Sequence, residues 1–291
     1  MRIFMLEVKK IIRTRVTWIL LLAALLLSGL MAYIPVTFEG VSVQNGDGER
    51  TEFSGLAAVH YLQDLRADIS GDVTAENVQR AVREYQSALK EYGATDSYEL
   101  SEEVYYDRLI KYQPFVHGVR EVFSDEKTGM APGFLSLSLE EVGTFYEKAP
   151  VRLANLMRME GSSQSDIDKA QVMYQKVEKP FQYYTGVEGN SMDYQVLYIF
   201  LLTIFCAVIV SPIFSMEYQT GSDDILRCTK YGRLRLAVTK ILSALCITGI
   251  TFLLCGIIWI LVTNTLFGWE STKTSMQMIF SASSLPAINM G

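Results

Sequence analysis

The chain has 291 residues, 49% of them apolar, with 26 basic residues against 32 acidic ones and a net charge of −6. The apolar residues are gathered into long blocks, which argues against an ordinary soluble domain, and the acidic balance gives no support to nucleic-acid binding. Two histidines and four cysteines leave little material for a metal centre or a disulfide framework.

Residues 1–16 open with "MRIFMLEVKKIIRTR". Five basic residues (Arg2, Lys9, Lys10, Arg13, Arg15) accompany one acid, Glu7. Ile3, Phe4, Val8, Ile11 and Ile12 are expected on one face of a helix lying at a membrane interface, with Lys9, Lys10 and Arg13 toward headgroups. Residues 17–34, "TWILLLAALLLSGLMAYI", carry no charge. That run is longer than a signal-peptide core of about 7–15 residues and lacks a clean cleavage site, so it predicts a retained transmembrane helix.

Residues 35–195 hold 15 basic and 27 acidic residues and no cysteine. About 160 residues support a core of their own, and the spacing is helical. Thr74 is placed to cap "AENVQRAVREYQSALKEY", where Val78, Ala81, Val82, Tyr85 and Leu89 recur on one face. Ser138 and Glu141 read as a capping box for "LEEVGTFYEKAPVRLANLM". Further helices are predicted over 55–69, 102–123 and 165–179, with Pro114 and Pro150 expected to kink or break theirs. "GDGE" and "TGMAPG" read as turns, and no strand is expected. His60 and His117 have no partner at helical spacing and read as ordinary side chains rather than metal ligands. Tyr85, Tyr92, Tyr98, Tyr105, Tyr106 and Tyr112 fit a half-buried core better than a ligand groove.

Residues 196–214, "VLYIFLLTIFCAVIVSPIF", and 241–267, "ILSALCITGITFLLCGIIWILVTNTLF", are the second and third predicted transmembrane helices. The third is long enough to tilt or extend past the interface. Between them, residues 215–240 are polar: "SMEYQTGSDDILRCTKYGRLRLAVTK". Asp223 and Asp224 suit a helix N-terminus, Lys230 its last turn, and Gly232 its C-cap. A short capped helix around Leu226 is therefore expected between the two apolar helices. Basic residues exceed acidic ones at the N-terminus and in 215–240, so both are placed in the cytoplasm and 35–195 outside. Cys206, Cys246 and Cys255 fall in apolar blocks, and Cys228 falls in the polar segment. A cysteine-free outer segment fits a bacterial plasma membrane. Residues 268–291 read as an outer loop that approaches a further span and is cut short. The expected fold class is an all-α, multi-pass integral membrane protein: three transmembrane helices, with a helical extracytoplasmic domain between the first and second.

The stretch "SPIFSMEYQTGSDDILRCTKYGRLRLAVTKI" resembles the corresponding loop of ABC-2-type ABC transporter permeases. Their pattern has a Glu after a span, a Gly four residues on, a short helix, a Gly-Arg pair, and a Lys opening the next span. Here these are Glu217, Gly221, Gly232, Arg233 and Lys240. "EKPFQYYTG", "TFYEKAPVRLANLM" and "GLAAVHYLQDLRADISGDVTAE" resemble stretches of such permeases from Gram-positive bacteria with large outer domains. The resemblance implies a transport subunit, not an enzyme, with export as the expected direction. It implies that Glu217, Gly221, Asp223, Asp224, Leu226, Gly232, Arg233 and Lys240 couple the chain to a separate ABC ATPase. That subunit would bind ATP and Mg, since no G-x-x-x-x-G-K-[ST] occurs in this chain and no cofactor is expected in it. A second permease subunit, identical or homologous, is the other expected partner, alongside the lipid bilayer. Family members have more spans than the three visible here, so the chain reads as a fragment or as completed by another. The alternatives are a mechanotransmitting ABC membrane protein, whose outer domain would contain strands, and a sensory receptor with an outer ligand-binding domain. A secondary transporter is disfavoured because the predicted spans contain no ionisable acid, base or histidine for a proton relay.

Overall fold

The computed structural model describes residues 2–44, 49–186, 189–213, 215, 221 and 234–285. It is mostly helical and divides into two compact units. The smaller comprises Met1–Pro35 with Asn190–Leu266, and the larger comprises Val36–Gly189 with Phe267–Gly291.

The smaller unit contains α1 (Arg2–Ile12), α2 (Arg15–Tyr33), α10 (Gly189–Val210) and α11 (Leu234–Phe267). Among the described residues two helical stretches, Arg15–Phe38 and Leu234–Phe267, are long and apolar enough to cross a membrane, and Tyr194–Val210 is apolar but shorter. Three such helices were expected. In α10 the regular helix ends at Val210, just before the Ser211-Pro212 pair. Pro212 has no N–H to continue the ladder. Conversely, α11 begins well before residue 241, because "LRLAVTK" has no helix breaker and extends the apolar helix with polar turns.

In α1 the expected face is partly right. Ile11 is buried and Phe4 and Val8 are half-buried, but Ile12 is exposed. Glu7, one turn before Ile11, occupies the buried face instead and pairs with Lys10 at 3.0 Å. Along α2, Ala24, Ser28 and Ala32 recur every four residues and are fully buried. Small side chains at that spacing let helices approach closely.

The larger unit is mostly helical, and its core also takes Val73, Phe181 and Tyr183 from short strands. α4 (Ala75–Tyr92) starts as expected: the Asn77 amide donates to the Thr74 hydroxyl at 3.2 Å. It ends at Gly93 in the left-handed conformation, φ +67, which glycine adopts without Cβ strain. All five predicted core positions of α4 are buried, with Ala88 added. The Glu141 amide donates to Ser138 at 3.1 Å, opening α7 (Leu139–Gly143) and then α8 (Phe145–Met159). α8 runs through Pro150, against expectation. Buried Phe145, Ala149 and Leu153 on either side hold it by packing despite the lost ladder bond.

The predicted helix over 102–123 is broken into α5 (Glu102–Val104), a π-turn, a 3-10 turn and α6 (Gln113–Val122). Pro114 falls in the first turn of α6, where a missing N–H costs nothing. Its ring would strike the Ile110 carbonyl of a continuous helix, so the break falls upstream. α3 (Leu56–Leu65) and α9 (Gln164–Tyr174) match their predictions apart from their ends.

Among the described residues four short strands, none of them predicted, accompany the helices. β1 (Gly40–Gln44) pairs antiparallel with β2 (Arg50–Ser54), and β3 (Gly71–Val73) with β4 (Phe181–Tyr183). Residues 45–48, which include most of "GDGE", lie outside the described residues, whereas "TGMAPG" is a loop as read. The tyrosines divide: Tyr85 is core, Tyr105, Tyr106 and Tyr112 are half-buried, and Tyr92 and Tyr98 are exposed.

Residues 268–285, read as a free outer loop, belong to the larger unit. The Glu121 carboxylate accepts from the Ser281 and Ser283 hydroxyls, each at 2.5 Å, and from the Ala282 amide at 2.7 Å. Tyr174 donates to the Ala282 carbonyl at 2.7 Å, and the Ser275 amide donates to the Gln182 carbonyl at 2.9 Å. The segment includes α12 (Met276–Ile279) and supplies Ala282 to the core.

Candidate functional site

Of the sequence-predicted coupling residues, Glu217, Asp223, Asp224, Leu226, Gly232 and Arg233 lie outside the described residues. Gly221 has φ +66, the left-handed region that favours glycine, so a turn at that position is what the residue supplies. Lys240 is buried, and its ammonium donates to the Ile213 carbonyl at 3.1 Å.

The position of Lys240 follows from helical spacing. Lys240, Ala244 and Ile247 share one face of α11, and Ile247 packs with Ile11, Ile209 and Ile213. The four-carbon stem of lysine crosses this apolar seam while its head reaches a carbonyl just past α10. The two ends of the polar segment are thereby tied by a charge-assisted bond. The sequence marked Lys240 as the residue opening the next apolar helix, but gave no partner for it.

A second polar contact crosses between helices within the same unit. Ser28 of α2 and Tyr198 of α10 are 2.8 Å apart, and Ser28 also bonds the Ala24 carbonyl at 2.7 Å. The Tyr198 ring stacks on Trp259 of α11 with centroids 4.6 Å apart. Three helices thus meet at one buried cluster that also contains Cys206 and Cys255. Sequence reasoning passed over this cluster, although the Ala24–Ser28–Ala32 spacing was its visible signal.

The larger unit carries a cleft of about 330 Å³, lined by Gln63, Ala67, Ser70, Tyr184, Thr185, Phe267, Gly268 and Glu270. Gln63 donates to the Phe267 carbonyl at 2.6 Å, fixing one wall, while the Thr185 hydroxyl is buried with no hydrogen-bond partner. Burial raises the Tyr85 and Tyr174 phenols well above their ordinary range and pushes Tyr146 up to about 12. Asp125 is held below the usual carboxylate range by donors from Thr128 and Lys127. His60 and His117 are exposed, and among the described residues no group of three His, Cys, Asp or Glu side chains could hold a metal ion.

No protein-family model, curated protein or solved structure matches this chain.

Proposed function

We propose that the chain is a membrane-spanning permease subunit of an ATP-binding cassette transporter, driven by a separate ATPase that engages residues 215–240. The observation that carries this reading is the Lys240–Ile213 bond, which closes the ends of the polar segment onto α10 and α11. A push on a segment held at both ends is delivered to both helices, whereas a slack connector would absorb it.

Membrane insertion is supported by the surface of the smaller unit. Trp18, Ile19, Leu22, Leu26 and Leu30 of α2 are exposed, as are Leu245, Ile250, Leu253 and Ile257 of α11. An apolar surface of this kind is an aggregation liability in water and is well solvated by lipid. The sidedness rests on charge: basic residues exceed acidic ones at the N-terminus and in residues 215–240, whereas residues 35–195 are acidic, which places 215–240 in the cytoplasm and 35–195 outside. The mechanotransmitting alternative was to be told apart by strands in the outer domain. Among the described residues the larger unit has four short ones, and one pair places Val73, Phe181 and Tyr183 in the core, while helices supply most of the rest of it.

The reading is tested with Lys240→Met, which keeps the apolar stem and removes the ammonium. Insertion should be unchanged, and ATP hydrolysis by the assembled complex should fall by about tenfold, the effect of roughly 1.4 kcal/mol. Unaltered hydrolysis would show that the tie plays no part in coupling.

A further inference from the structure

Four arginines among the described residues of the larger unit are wholly or partly buried, Arg66, Arg80, Arg120 and Arg152, and of these Arg152 alone makes no hydrogen bond or ion pair. Arg66 is fully buried and donates to the Ile110 carbonyl at 2.9 Å, to Gln113 at 3.3 Å and to the Tyr183 hydroxyl at 3.3 Å. Arg120 pairs with Asp96 at 2.5 Å and lies over the Phe134 ring. Arg152, in the middle of α8, is 8% exposed, and its Nε and Nη1 are buried with no hydrogen-bond partner. Among the described residues no carboxylate pairs with it.

A guanidinium cannot escape this situation by losing its proton, so a buried one demands acceptors. The neighbouring loop closes on itself beside it. Asp125 accepts from the Lys127 and Thr128 amides at 3.0 and 2.7 Å, and the Asp125 amide donates to the Met130 carbonyl at 2.9 Å. This closed turn places Gly129 at φ +69, next to the Arg152 Nη2; a Cβ built at Gly129 would lie 3.8 Å from that nitrogen. The glycine leaves bare backbone at the mouth of the guanidinium, and the Asp125 carboxylate is spent on its own turn rather than on Arg152.

We infer that Arg152 anchors an oxyanion site beneath the 125–130 turn, for a ligand bearing a carboxylate or a phosphate group. The planar fork of the guanidinium matches either group through two parallel N–H bonds. The ligand would supply the charge that the fold withholds.

The experiment is calorimetric titration of the full chain in detergent with acetate and, separately, with inorganic phosphate, at ionic strength fixed by chloride. One of the two should bind with one site per chain; acetate would point to a carboxylate ligand and phosphate to a phosphate-bearing one. Arg152→Lys keeps the charge but not the fork, and should weaken binding by about tenfold. Arg152→Met should abolish it. At ten times the dissociation constant the anion should raise the wild-type Tm by roughly 3 °C and leave Arg152→Met unmoved. Binding of neither anion to the wild-type chain would overturn the inference without reference to any variant. Equal binding to Arg152→Met would overturn it as well.

Discussion

At the scale of single residues, the larger unit is held by a few side chains that satisfy buried backbone groups. Tyr146 is one: its hydroxyl donates to the Val73 carbonyl and accepts from the Phe181 amide, bridging β3 and β4. Tyr146→Phe should cost about 2 kcal/mol in chemical denaturation, since two backbone groups lose their partner. The same tyrosines set an alkaline limit. In the folded chain burial raises Tyr146 to about 12, from 10.0, and raises Tyr85 and Tyr174 as well. Folding thus favours the neutral phenol. That contribution is intact below about pH 10, where the unfolded phenol titrates, and is lost as pH rises toward 12. Denaturation midpoints should be flat through neutral pH with respect to these groups and fall above about pH 10. A midpoint that stays level to pH 12 would contradict the burial of these phenols. Thr74 was legible from sequence because capping is local, requiring only a hydroxyl before an apolar-periodic run. The roles of Tyr146 and Glu121 were not, because their partners lie far away in the chain.

At the scale of elements, helices were legible where periodicity and caps agreed, as in α4, and illegible where a proline had two possible places. Pro114 starts a helix and Pro150 sits within one, and the difference lies in the packing around them rather than in the local sequence. The four strands escaped notice because β3 and β4 have three residues each, too few for an alternating pattern to register. In the smaller unit, Ala24, Ser28 and Ala32 form a fully buried seam of small side chains along α2. Ala24→Leu should overpack this seam and cost about 1–3 kcal/mol. Ser28→Ala should cost about 0.6 kcal/mol, the usual worth of a hydrogen bond between apolar helices in lipid. Unfolding in mixed micelles would measure both, and a larger effect for Ser28→Ala than for Ala24→Leu would mean that the hydroxyl, not the spacing, holds the helices.

At the scale of the whole molecule, the segment 268–285 changes the meaning of the chain's last part. Read alone it looked like an interrupted loop, since nothing local shows that Glu121 waits for it. The three hydrogen bonds of Glu121 and the Tyr174–Ala282 bond make it part of the larger unit's core. Glu121→Ala should speed amide exchange at Ala282 by about tenfold or more, the worth of hydrogen bonds to a charged acceptor. Unchanged exchange would mean that packing alone secures the segment. The division into an apolar unit and a polar one was legible because hydropathy and charge are sums over many residues. The polar segment 215–240 was legible only as a pattern. Gly221 and Lys240 are the members of that pattern whose conformation is described, and both have a physical reason to be there: a left-handed turn and a tie across the segment.

The sidedness is checked by placing single cysteines at Gly48 and Ser222 and labelling intact cells with an impermeant reagent, which should reach the first and spare the second. The most direct test of the central claim is recovery of an ABC ATPase, identified by its Walker sequence, with the full chain purified from its native membranes. The wild-type chain should bring the ATPase with it, and Leu226→Pro, which breaks a helix by roughly 3 kcal/mol or more, should lose it while still inserting. Failure of the wild-type chain to recover any such ATPase, or equal recovery with Leu226→Pro, would contradict the account.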